Sequence, residues 1–177
     1  AAKYGKTYVE RIEAGARTFF EAPELADVRS ADPESYLALE EMGTIDLFGT
    51  RAFAIPDFAY RDGDLVHVYD WKTGSPRPQD RFQLGVYVLY ARERFDVEPT
   101  NVRCVDAYLT RGEFIELRFD ASEVAALEDK IRTSVEALRF DADESLGDPA
   151  NFPLIDASSA DARECASCNY RELCGRS

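Results

Sequence analysis

Residues 55–74 read IPDFAYRDGDLVHVYDWKTG, and the fold class turns on how this stretch is divided. Two runs rich in apolar and aromatic residues bracket Arg61-Asp62-Gly63-Asp64, where Asp-Gly suits the positive φ of a tight hairpin turn. The returning strand spans Leu65 to Lys72. Side chains alternate along a strand, so Asp70 and Lys72 project to one face and Trp71 to the other. Pairing Arg61 with Asp64 across the turn sets Asp57 opposite Val68. Asp57 then shares a face with Asp70 and Lys72 and lies diagonal to Asp70. His67, the only histidine, alternates to the opposite face and reads as structural.

Two carboxylates and one ammonium at the end of a hairpin suit a particular chemistry. Close carboxylates repel unless a cation lies between them, and hard oxygen ligands fit Mg²⁺ or Mn²⁺. Such a cation binds a phosphate oxygen, lowers the pKa of a water and offsets charge in a phosphodiester transition state. The lysine can orient that water or stabilise the charge. The plain alternative is an exposed Asp–Lys pair.

Outward from the hairpin, Tyr4 to Phe20 carries Tyr8, Val9, Ile12, Ala16, Phe19 and Phe20 at helical spacing. Pro23 to Pro33 reads as a loop, and Gly43–Gly49 and Arg51–Tyr60 as strands. After Lys72, Thr73-Gly74-Ser75-Pro76-Arg77-Pro78 breaks regular structure. Gln79 to Phe95 resumes helical spacing through Phe82, Val86, Leu89 and Tyr90. Two strands follow, Val102–Leu109 and Glu113–Phe119, turning at Arg111-Gly112. Asp120 and Glu123 form a capping box opening a helix with a core face of Val124, Leu127, Ile131, Val135 and Leu138. From Asp141 the tail is expected to be a loop with Pro149 and Pro153, ending in a cysteine-rich segment. The order predicts a mixed α/β domain rather than a βαβ repeat.

The 177 residues are long enough for one domain with its own core, and 1–177 is expected to form it. With 34 Asp and Glu against 21 Lys and Arg, the net charge is −13. That argues against holding DNA or an anionic membrane by bulk positive charge, while leaving room for a local basic groove. The chain shows no apolar run of spanning length and no secretory leader, which predicts a soluble cytoplasmic protein without membrane contact. It begins Ala-Ala without Met, and an upstream portion is expected. Arg77, Arg81, Arg92 and Arg94 follow the Asp-x-Lys strand, either to touch phosphates or as a solvated helix face.

These residues resemble the RecB-like branch of the PD-(D/E)XK nuclease superfamily. The likeness runs through Ile55-Pro56-Asp57, Asp62-Gly63-Asp64-Leu65, Tyr69-Asp70-Trp71-Lys72-Thr73-Gly74 and Gln83-Leu84-Gly85-Val86-Tyr87. It implies a restriction-endonuclease-like mixed β-sheet core flanked by helices. It also implies a hydrolase that cuts DNA with Mg²⁺ or Mn²⁺, as an exonuclease or DNA-end processor in repair, recombination or a CRISPR-related system. By the same resemblance, Asp57 and Asp70 are metal ligands with the Trp71 carbonyl as a further one. Lys72 is catalytic, and Gln83 and Tyr87 border the site. The four-residue spacing of Gln83 and Tyr87 independently places them on one helix face. The family commonly has a His after a Gly on an N-terminal helix. Gly5-Lys6-Thr7-Tyr8-Val9-Glu10 matches that segment with Val9 at the His position, which leaves Glu10 as the acidic candidate and Glu13 as a second. The partners implied are single-stranded DNA or duplex ends and a helicase or other DNA-processing domain. The competing expectation is a non-catalytic DNA-binding or scaffold module that keeps the fold.

Cys165, Cys168 and Cys174 form a C-x2-C-x5-C pattern near the C-terminus. Closely spaced thiols in an intracellular protein favour zinc or an iron–sulfur cluster over disulfides. The tail resembles that of CRISPR-associated exonucleases and AddB-type nuclease domains, which implies a 4Fe-4S cluster whose fourth cysteine lies upstream. Cys104, in an apolar strand, reads as a buried thiol.

Overall fold

Pro56 divides what reads as one strand into two. It has no N–H for a ladder and restricts the residue before it, so the chain turns at Ile55-Pro56-Asp57. The segment ahead of it, β3 (Thr50–Ala54), pairs with β2 (Gly43–Leu47) in a separate two-stranded sheet. Phe48 and Gly49 close that hairpin with φ of 56° and 76°, the left-handed pair that a two-residue turn between twisted strands requires. The segment after Pro56, β4 (Phe58–Asp62), joins the main sheet.

A computed structural model describes residues 2–143, 154, 156, 163–172 and 174. The main sheet has the order β1-β4-β5-β6-β7, with β1 at Tyr36–Leu39, β5 at Leu65–Lys72, β6 at Val102–Tyr108 and β7 at Glu113–Leu117. Only β5 and β6 run parallel, joined by the crossover helix α3 (Asp80–Phe95); the other pairs are antiparallel. The architecture is a mixed α/β, restriction-endonuclease-like fold with a five-stranded mixed sheet flanked by helices. The chain divides into two units, Ala1–Thr133 and Ser134–Ser177. Helix α4 (Ala121–Asp143) begins in the first and ends in the second, and takes in the first three residues of the segment expected to be a loop. Pro149 and Pro153 lie outside the described residues.

The hairpin register differs from the sequence expectation. Arg61 pairs with Val66 and Asp62 with Leu65, so the two-residue turn is Gly63-Asp64, with Gly63 at φ 57°. This shifts the pairing by two residues, which preserves the facing of every side chain. Asp57, just before the paired segment, now falls in line with Asp70 instead of diagonal to it.

One face of the sheet packs an aromatic core of Phe58, Tyr60, Tyr69, Leu25, Val28 and Val105. His67 lies on this face, stacked on Tyr60 at 4.7 Å between ring centres. The other face places fully buried Val66, Val68 and Cys104 beneath Leu84 and Val88 of α3. The Cys104 thiol donates to the Leu84 carbonyl at 3.7 Å, and burial pushes its pKa up to about 12.

Several local expectations give way. Pro23–Pro33 is not a loop: it holds a 3-10 turn at Pro23–Leu25 and a short helix, α2 (Ala26–Ser30), because Leu25 and Val28 insert into the aromatic core. The short edge strand β1 falls in a stretch with no strand expected. Helix α1 (Ala2–Glu21) forms, but Tyr8, Val9, Ile12 and Phe20 of its apolar stripe stay 54–69% exposed. On α3 the burial is broader than the periodicity implied, with Leu84, Tyr87, Val88 and Ala91 buried and Phe82 at the surface. On α4 the capping box forms as expected, Glu123 N–H donating to Asp120 at 2.9 Å and Asp120 N–H to Glu123 at 3.0 Å. Leu138 is exposed, not part of the core face.

Candidate active site

The parallel step from β5 to β6 fixes the site. A parallel crossover sends α3 back over the sheet, so residues from its first turns stand above the C-terminal end of β5. Asp70 and Lys72 point from β5 towards that helix, and Gln83 and Tyr87 point down from it.

These side chains form one network. The Lys72 ammonium lies 2.6 Å from Asp70 Oδ2 and donates to Gln83 Oε1 at 2.7 Å. The Gln83 amide donates to Asp70 Oδ1 at 2.9 Å and to the Tyr87 hydroxyl at 2.8 Å. The Tyr87 hydroxyl reaches the Ile55 carbonyl at 2.9 Å and Asp70 Oδ1 at 3.2 Å. Burial, together with the Asp70 charge, raises the Tyr87 pKa well above its ordinary value. The network thus ties the chain break at Ile55-Pro56 to both β5 and α3.

Asp57 enters from the end of β4, with its Oδ2 accepting the Trp71 N–H at 2.6 Å. Burial raises the Asp57 pKa; the Trp71 amide and Lys72 oppose this, while the Asp70 and Glu40 carboxylates add to it. The N–H and C=O of one strand residue point to the same edge, so the Trp71 carbonyl also faces the Asp57 side. Asp57, Asp70 and that carbonyl supply three hard oxygens at one end of the sheet, a donor set that fits Mg²⁺ or Mn²⁺ with water completing the shell. Among the described residues, no group of three or more His, Cys, Asp or Glu side chains converges to hold a metal.

Glu10 lies elsewhere. It lines a cleft with Glu13, Arg17, Thr110 and Arg111, not the cleft that holds Asp57 and Asp70. The reason is the seating of α1: Arg11 donates to the Thr73 carbonyl at 2.7 Å, and Tyr8 and Ile12 line a small cleft with Thr73 and Thr110. Three of the four arginines weighed as phosphate contacts are ion-paired: Arg77 with Asp80, Arg81 with Glu123 and Arg92 with Glu128.

Sequence reading missed three carboxylates. Glu40, next to β1, donates its amide to the Asp57 carbonyl at 3.0 Å. Asp80, the first residue of α3, accepts from Tyr108 OH at 2.7 Å and from the Arg77 amide at 2.8 Å. Burial works against ionisation of Asp80, but those hydrogen bonds and the Arg77 and Lys72 charges prevail and hold its pKa low. Asp106 stands beside Asp70 on the neighbouring parallel strand, only 2% exposed, with Oδ1 lacking a hydrogen-bond partner among the described residues. Burial pushes its pKa up to about 6, with Lys72 opposing and Asp70 and Asp80 adding to the rise. The available signal was a carboxylate inside the apolar run Val102–Tyr108.

In the second unit, Cys165 sits on α5 (Arg163–Ser167). Backbone turns join Cys168 N–H to the Cys165 carbonyl at 3.3 Å and Cys174 N–H to the Arg171 carbonyl at 3.1 Å. Cys165 and Cys168 are half-buried and Cys174 is exposed, and none of the three is in a disulfide among the described residues.

The mixed sheet thus brings Asp57 and the Asp70-Trp71-Lys72 triplet together at one end, under the helix that carries Gln83 and Tyr87. The chain belongs to the PD-(D/E)XK nuclease superfamily, whose family model matches residues 3–175. Nucleases of this superfamily typically use Mg²⁺ or Mn²⁺. A comparison with curated proteins gave no match. No helix among the described residues is long and apolar enough to cross a membrane.

Proposed function

We propose that the protein is a Mg²⁺- or Mn²⁺-dependent DNA nuclease of the RecB-like kind, acting as an exonuclease or DNA-end processor in repair, recombination or a CRISPR-related system. The supporting observation is the convergence of Asp57 and Asp70 with Lys72, which is bonded to both Asp70 and Gln83. Asp57, Asp70 and the Trp71 carbonyl are the ligands in this reading. A bound cation supplies Lewis acidity to a phosphate oxygen and acidifies a water. Lys72, 16% exposed, presents its ammonium to the charge that builds on the phosphate. Gln83 fixes that ammonium, and Tyr87 fixes Gln83 against the Ile55 carbonyl. The chain's negative charge makes DNA affinity low and salt-sensitive, which suits a module working beside a helicase or another DNA-processing domain. Cleavage of single-stranded or duplex DNA is expected with Mg²⁺ or Mn²⁺ and to vanish in EDTA. Absence of cleavage with either metal on every DNA form sinks the reading.

Cys165, Cys168 and Cys174 are assigned to a 4Fe-4S cluster with a fourth ligand elsewhere, zinc being the alternative. Anaerobically purified protein is expected to show broad visible absorbance; colourless protein with stoichiometric zinc overturns the cluster. A non-catalytic DNA-binding or scaffold module is the second reading. Val9 at the family's His position favours it, as does the placement of Glu10 in a different cleft.

A further inference from the structure

The cleft that holds Asp57 and Asp70 has a volume of about 560 Å³, and its walls are mainly apolar: Phe53, Ile55, Phe82 and Val86 line it alongside the two carboxylates. Phe53 projects from the β2–β3 hairpin and is 66% exposed, while Phe82, on the first turn of α3, is 39% exposed. Neither ring belongs to the buried core. Among the described residues no Lys or Arg lines this cleft, although the Lys72 ammonium is bonded to Asp70 and Gln83, which do. Beyond Phe82 lies a second groove containing Lys130, whose ammonium stands 5.0 Å from the Phe82 ring centre. Phe82 borders both grooves.

We propose that Phe53 and Phe82 form a nucleobase subsite beside the carboxylates, which takes an unpaired base while Lys130 receives a neighbouring phosphate. The inference rests on the nuclease reading above and adds what the substrate presents to the site. Duplex DNA shows proteins its phosphates and groove edges, and its base faces are covered by neighbouring pairs. A ring can grip a base only where one π-face is open, as in a single strand or a splayed end. A duplex track calls for rows of cations, whereas this cleft offers aromatic and aliphatic walls. Stacking is also an attraction that a net charge of −13 does not cancel. Exposed apolar surface of this kind around a polar centre marks a binding site more often than a packing fault.

The test uses the whole protein in EDTA, with a short single-stranded oligonucleotide carrying 2-aminopurine as the probe. The wild type is expected to quench the probe on binding and to prefer it to the same sequence as a blunt duplex. Phe53→Ala and Phe82→Ala are each expected to weaken single-strand binding roughly tenfold, the scale of one base–aromatic stack. Phe82→Tyr restores it, and Phe20→Ala, an exposed ring outside this cleft, leaves it unchanged. Unaltered binding by both alanine variants overturns the subsite, as does equal weakening for duplex and single strand. If the quenching pattern holds but Mg²⁺ and Mn²⁺ give no cleavage, the nuclease reading falls and the base subsite stands. Cleavage with no quenching gives the reverse.

Discussion

Lys72→Met is expected to lower metal-dependent cleavage by about a hundredfold to a thousandfold, the usual cost of removing one preorganised charge-stabilising group. Methionine keeps most of the stem volume, so the change removes charge more than packing. In the folded protein the ammonium lies 2.6 Å from Asp70 and is only 16% exposed, a setting in which its charge is poorly screened by water. It is also aimed, because Gln83 accepts from it while donating to Asp70 and Tyr87. Loss of the ammonium frees Asp70 Oδ2, so Mg²⁺ affinity is expected to hold or rise while kcat falls. That separates a catalytic lysine from a structural one. Titration of Mn²⁺ by electron paramagnetic resonance and single-turnover cleavage measure the two halves. If cleavage stays within a few-fold of wild type, Lys72 is a buried counter-ion and nothing more.

The parts of this site that the sequence revealed are local in the chain. Strand β5 was legible at both ends because Leu65–Lys72 is bounded by a turn and by a proline-rich break. Asp57 was placed on the correct face despite a register error of two residues, because facing depends only on parity. An Asp-Gly pair signals a turn centred on itself, yet here Asp62 is still paired and Gly63 supplies the positive φ from the first loop position. Gln83 and Tyr87 followed from helical spacing alone. Asp80 and Asp106 were missed because their meaning is set by the parallel β5–β6 pairing, which joins residues 36 positions apart such as Asp70 and Asp106. No local pattern encodes that. Phe53 was absorbed into a strand reading that ran through Pro56, so its place at the cleft mouth was hidden. The exposed stripe of α1 marks the opposite limit: periodicity announces an apolar face but not what covers it.

Asp106→Val is expected to stabilise the protein by about 2–3 kcal/mol at neutral pH. A buried carboxylate with an unpartnered oxygen is among the more costly things a sheet interior can hold. Its pKa is raised from 3.8 to about 6, and each unit corresponds to about 1.36 kcal/mol, so ionisation costs the fold about 3 kcal/mol. The sign follows from proton binding. Between about pH 4 and pH 6 the folded state keeps a proton that the unfolded state has released, so wild-type stability falls as pH rises through that window and then levels off. Below the unfolded value the penalty is absent. The advantage of the valine variant should therefore be small at pH 4 and complete by about pH 7, read as a rise in Tm of roughly 5–10 °C in EDTA for a chain of this size. Groups shared by both proteins, such as Asp57 and Asp27, largely cancel in the difference. An advantage independent of pH, or a loss of stability at pH 7, means that the oxygen is satisfied in solution and the penalty does not exist. The same negative charge stands one strand away from Asp70 and adds to the field that draws a divalent cation to it. Asp106→Val is thus expected to weaken Mg²⁺ binding as it strengthens the fold, because one buried charge is the source of both effects.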